Sequence, residues 1–148
     1  KRFTNYKMKN VHPYLIPAFD VYEINKQLAE YTTPDAIKYQ VAKYYAKKPI
    51  IKVLYGNLTA NDMKDLICSK TRKQEIIRGR YATIYFLRNI LNLKLASIGK
   101  LMGFRDHSTI INALKTYEAL CEYEKPSFED HINLCSVFKV PNRIQFLR

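Results

Sequence analysis

The chain has 148 residues, 47% of them hydrophobic, with 25 Lys and Arg against 13 Asp and Glu for a formal net charge of +12. That length suits one domain, or one domain with an extra lobe, and the apolar share is enough for a packed core, which excludes global disorder. No stretch approaches the roughly 18 consecutive apolar residues of a membrane span. Cys68, Cys121 and Cys135 lack C-x-x-C spacing, and His12, His107 and His131 are scattered. No metal site is expected, and the cysteines are read as reduced thiols of a cytoplasmic, nucleoid-associated protein. Opening on Lys1 rather than Met, the sequence is read as a fragment or a trimmed chain.

Taken in chain order, residues 1–19 contain Pro13 and Pro17 and read as a loop or arm. Residues 20–31 place Val21, Ile24 and Leu28 on one side of a short helix, so 1–32 is an arm or extra helix. The first firm helix opens at Thr33-Pro34-Asp35, with a capping threonine, a proline at the first helical position and an acid facing the dipole. Ile37, Val41, Tyr44 and Tyr45 line its apolar face, and Pro49 is expected to end it. Ile50 to Tyr55 is apolar and β-branched before Gly56-Asn57, which suits an extended piece or a packed loop. A short helix follows from about Asn61 to Cys68.

Residues 69–79 form a polar basic connection, and a largely apolar helix is expected from Arg80 to Leu91 in a central, buried position. Residues 69–94 carry 7 basic and 1 acidic side chains, a net +6 and half of the total. Positive charge concentrated in this way is the footprint of a polyanion binder. Residues 95–102 make a two-turn helix, Gly103 is placed to end it, and a longer helix runs from near Asp106 to about Glu122 on Ile110, Leu114, Tyr117 and Cys121. Short helix, tight glycine turn and longer amphipathic helix is the helix-turn-helix layout. Pro126 separates a last helix, about Phe128 to Phe138, from a tail over 139–148.

In that layout the N-terminal residues of the second helix meet base edges in the major groove. Here they are Asp106, His107, Ser108 and Thr109, all polar and all able to carry base information. An arginine on a basic loop such as Arg72 suits the minor groove, narrow in A·T-rich DNA. Arg80 and Arg88, eight residues apart, suit a phosphate backbone, and the N–H groups of Leu95 and Ala96 open a helix where a phosphate can sit. Lys70, Lys73, Arg78, Arg105 and Lys115 complete the set of expected phosphate-binding groups.

The run Ser69-Lys70-Thr71-Arg72, then Arg78-Gly79-Arg80, Ile98-Gly99 and Gly103-Phe104-Arg105-Asp106-His107-Ser108-Thr109, resembles the C-terminal DNA-binding domain of the bacterial replication initiator DnaA. The resemblance covers residues of about 33–138. It implies an all-α, Trp-repressor-like helix-turn-helix bundle that binds A·T-containing boxes in double-stranded DNA at a replication origin. By position it makes Arg72 the minor-groove arginine, Asp106 to Thr109 the major-groove readers, and Arg80, Arg88 and the Leu95–Ala96 backbone the phosphate contacts. The sequence departs from that pattern at Gly79, Tyr81 and Ala96, at Glu75 inside the basic loop, at Phe104 where glycine is usual, and in an insertion near 49–61. It also has four glycines and no G-x-x-x-x-G-K loop, so no ATP binding and no cofactor are expected.

Two alternatives remain at this level. One is a protein-interaction module that keeps the fold and meets a partner through residues 1–60. The other is the DNA-binding piece of a larger replication, transposition or regulatory protein. No carboxylate cluster or nucleophile–base pair argues for an enzyme.

Overall fold

The computed structural model describes residues 33–147; the arm over 1–19 and the helix expected over 20–31 lie outside the described residues. Among the described residues there are seven helices and no strand, an all-α helix-turn-helix bundle.

Helix α1 spans Pro34–Ala46; Thr33 Oγ1 accepts from the Ala36 N–H at 3.1 Å, Pro34 opens it and Asp35 lies in its first turn. Ile37, Val41, Ala42 and Tyr45 are its buried face. The segment Pro49–Tyr55, expected to be extended or a loop, is helix α2. Its β-branched residues argue for a strand, but Pro49 pre-sets the first helical turn and Gly56, at φ 77°, ends it. Pro49 therefore starts a helix rather than stopping the one before it.

Helix α3 spans Ala60–Cys68 behind a capping box, in which Thr59 Oγ1 accepts from the Asp62 N–H and the Asp62 carboxylate accepts from the Thr59 N–H. Helix α4 spans Gln74–Leu91, so the polar connection expected through residue 79 is only 69–73 long. Its first turns look polar in sequence, yet Ile76 is fully buried there, Glu75 complements the dipole and Gly79 packs against Ile67 and Tyr45. Helices α5 (Leu95–Leu101), α6 (His107–Tyr123) and α7 (Lys125–Phe138) complete the bundle. The last begins at Lys125 rather than Phe128, because Pro126 falls within its first turn, where a missing N–H costs nothing.

Helix α4 is the central element, as its apolar character predicts: it packs against α1, α3, α5 and α6, while α7 lies on α6 and α1. Much of the core is aromatic. His131 is fully buried, stacked on Phe86 at 5.7 Å and edge-on to Tyr85 at 5.3 Å, with Nδ1 2.8 Å from the Tyr117 hydroxyl. The chain after α7 returns across the bundle: Ile144 is buried, Phe146 packs on Phe128, and the Leu147 N–H donates to the Glu122 carbonyl at 2.8 Å.

Candidate nucleic-acid interface

The turn between α5 and α6 brings two backbones together at Gly99. The Arg105 N–H donates to the Gly99 carbonyl at 2.8 Å, and a Cβ at Gly99 would collide with the Arg105 carbonyl oxygen. Gly103 then turns at φ 89°, the left-handed conformation its sequence position predicts, and Phe104 follows at φ 62°. Asp106 is the N-cap of α6. Its Oδ1 accepts from the Thr109 N–H and from the Ser108 hydroxyl, both at 2.9 Å. The Thr109 N–H first, and the Ser108 hydroxyl with it, hold this carboxyl below the ordinary range. Capping thus occupies one oxygen of Asp106. His107, Ser108 and Thr109 are exposed with it at the open end of the helix.

The basic loop stands beside this tip. Lys70, Arg72 and Lys73 are exposed, and Lys70 Nζ donates to the Gly103 carbonyl at 3.2 Å, so loop and turn touch. Two arginines fix the junction from within. Arg105 turns its guanidinium back onto the carbonyls of Met102, Cys68 and Ser69. Arg80 is only 7% exposed and donates to Ile67, Ser69 and Thr71 carbonyls, each at 2.9 Å. Burial first, and then the neighbouring Arg105 charge, lower its pKa. Apart from Met102, which follows α5, these carbonyls belong to the end of α3 and to the loop. The two guanidiniums therefore hold the loop's shape by backbone bonds that no side-chain pattern reveals.

The remaining expected residues divide between two places. Arg88 is half-buried on α4 and donates to the Leu93 carbonyl at 2.6 Å, beside the opening of α5 where Leu95 and Ala96 have no side-chain cap. Lys115 is exposed seven residues on from Ser108, on the same face of α6. Asn112, exposed four residues on from Ser108, shares that face, a placement that helical spacing alone predicts although its letter carries no charge signal. Arg78 lies elsewhere: it pairs with Glu124 at 3.1 Å and with Ser127 at 2.8 Å, holding α4 to the start of α7. Among the described residues no group of three or more His, Cys, Asp and Glu is placed to hold a metal, and no helix is long and apolar enough to cross a membrane.

Residues 57–116 match the family described as the bacterial dnaA protein helix-turn-helix. The chain is 37% identical over 103 residues to the chromosomal replication initiator protein DnaA of Chlorobaculum tepidum, covering 68% of this chain and 20% of that protein. It is 30% identical over 113 residues to its counterpart in Flavobacterium psychrophilum, covering 75% and 22%, and 35% identical over 94 residues to that of Ureaplasma parvum, covering 64% and 20%. No solved structure matches. The chain spans about a fifth of the length of these curated relatives. The match contains the basic loop, α4, the turn and the opening of α6, and it is this segment, residues 57–116, that carries the helix-turn-helix of the bacterial dnaA family.

Proposed function

We propose that this domain binds double-stranded DNA sequence-specifically, with the tip of α6 in the major groove and the basic loop over the adjacent minor groove. One observation carries the reading: the exposed tip Asp106-His107-Ser108-Thr109 is tied through Arg105 and Lys70 to the loop that exposes Arg72 and Lys73. In this arrangement His107, Ser108 and Thr109 offer an imidazole, two hydroxyls and a methyl to base edges, and Asp106 offers its second oxygen to a cytosine amino group. Arg72 enters the minor groove. Lys70, Lys73, Lys115 and Arg88 meet phosphates, with the Leu95 and Ala96 N–H groups beside Arg88.

Arg80 and Arg105 act differently from the direct phosphate contacts expected of them. Three N–H···O bonds from each guanidinium go to backbone carbonyls, so in this reading they position the loop and the turn. Arg78 serves the α4–α7 packing. The similarity to replication initiators supports a role in origin recognition or its regulation in the cytoplasm, through binding rather than catalysis.

Fluorescence anisotropy on duplex DNA over a range of salt tests this. Five cations at the DNA (Lys70, Arg72, Lys73, Arg88, Lys115) give a slope of log K against log salt of about −4.5. His107→Ala relaxes the preference at the base pair that His107 meets, by about 1–3 kcal/mol, and leaves that slope in place. Binding with no sequence preference in the wild type defeats the reading.

A second reading, a protein partner, is favoured by α2. Ile50, Val53 and Leu54 lie on one face of that helix and are exposed. A partner held there is lost in Val53→Asp and unaffected in His107→Ala.

A further inference from the structure

Phe104 is the most exposed of the large hydrophobic side chains among the described residues, at 83%, and it stands in the turn that presents the tip of α6. Its φ of 62° is left-handed, a region that a bulky side chain rarely enters. Its surroundings fix that conformation from both sides. Before it, Gly103 is held by Lys70 on its carbonyl, and its α-carbon lies so close to the Cys68 carbonyl that an added Cβ would stand 2.5 Å from the oxygen. After it, the Arg105 N–H is tied to Gly99 and the Arg105 guanidinium to Met102, Cys68 and Ser69. At 83% exposure the ring stands clear of the bundle, two and three residues before the exposed Asp106 and His107 in the chain.

An apolar group held outward at strained backbone, within a hydrogen-bonding surface, fits a ligand with one apolar feature among polar edges. Strained φ of this kind gathers at functional sites. Duplex DNA presents one apolar feature among the base edges of its major groove, the 5-methyl of thymine. We propose that Phe104 is a specificity-determining residue, its ring packing on a thymine methyl next to the bases met by His107, Ser108 and Thr109. This rests on the DNA-binding reading above and adds a base preference to it.

The test uses a short duplex carrying the site that the wild-type chain enriches from randomised DNA, with each thymine replaced in turn by deoxyuridine, which removes only the methyl. Phe104→Gly is the matched variant, because glycine adopts this φ freely and the turn keeps its shape. A urea midpoint at or above that of the wild type shows that it folds. For the wild type, one substitution weakens binding about fourfold, the worth of one methyl kept from water. In Phe104→Gly that difference vanishes, while in Thr109→Ser it persists, which separates the ring from the Thr109 methyl. Superimposable thymine-to-uracil profiles in wild type and Phe104→Gly overturn the proposal. So does an equal loss for thymine and uracil probes, which would place the ring on the sugar–phosphate backbone. If the randomised pool yields no enriched site at all, the DNA-binding reading fails first and this proposal with it.

Discussion

Arg80 separates a structural account of this surface from a simple charge-matching one. Its three backbone acceptors differ in exposure: the bond to Ile67 is buried, those to Ser69 and Thr71 half-buried. Leaving a carbonyl unpaired costs about 1–3 kcal/mol according to burial. Taking about 2 for Ile67 and about 1 for each of the others, Arg80→Met loses about 4 kcal/mol. Arg80→Lys keeps the charge but not the planar fork; its ammonium reaches one carbonyl, and about 2 kcal/mol is lost. Urea unfolding gives both values. Duplex binding over a range of salt supplies the second axis. If Arg80 shapes the loop, both variants bind more weakly because Arg72 and Lys73 lose their placement. The slope per decade of salt then falls by as much as about 1.8 even in Arg80→Lys, which keeps its charge, because two cations have left the DNA. A phosphate contact predicts the reverse: Arg80→Met stable to within about 0.5 kcal/mol, with the slope reduced by about 0.9. That pair of results would refute the positioning role.

Two further outcomes follow from the fold. Burial holds His131 below its ordinary pKa of 6.5, with a smaller opposing effect from Asn142, so the folded chain binds fewer protons there than the unfolded chain. Its contribution is fully present above about pH 6.5 and is lost as pH falls through the lowered folded value. Urea midpoints should therefore fall between pH 7 and pH 5, and His131→Phe should flatten that slope; an unchanged slope in the variant contradicts the assignment. Gly99→Ala puts a methyl against the Arg105 carbonyl and forces α5 and α6 apart, costing about 1–3 kcal/mol by overpacking. Thermal melting should show the loss together with weakened duplex binding, and a full-strength variant would show that the turn tolerates opening.

Much of this architecture is legible in the sequence where a local rule decides it. Thr33-Pro34-Asp35 starts α1 and Gly103 turns the chain between α5 and α6, because capping and left-handed φ are local requirements. The basic loop and the polar run before Ile110 identify the candidate surface. What failed was set by tertiary context. Residues 50–55 suit an extended piece or a packed loop yet lie in α2, and residues 74–79 look like a polar loop yet open α4 around the buried Ile76. The arginines were the harder case. Arg72, Arg78, Arg80 and Arg105 are alike as letters. The acceptors that distinguish them are backbone carbonyls, together with Glu124 and Ser127 on a distant helix. Phe104 was legible only as a departure from the family pattern, and its outward placement comes from the clamped backbone on either side.

The most direct measurement of the central claim is selection of duplex DNA from a randomised pool by the wild-type chain and by His107→Ala, at matched salt. The account predicts one short enriched motif with the wild type and the same motif made degenerate at one base pair with His107→Ala, while both proteins retain comparable salt-dependent affinity for the unselected pool. Enrichment of an identical and equally sharp motif by both proteins would remove His107 from base reading, and retention without any enriched motif by the wild type would contradict sequence-specific binding outright.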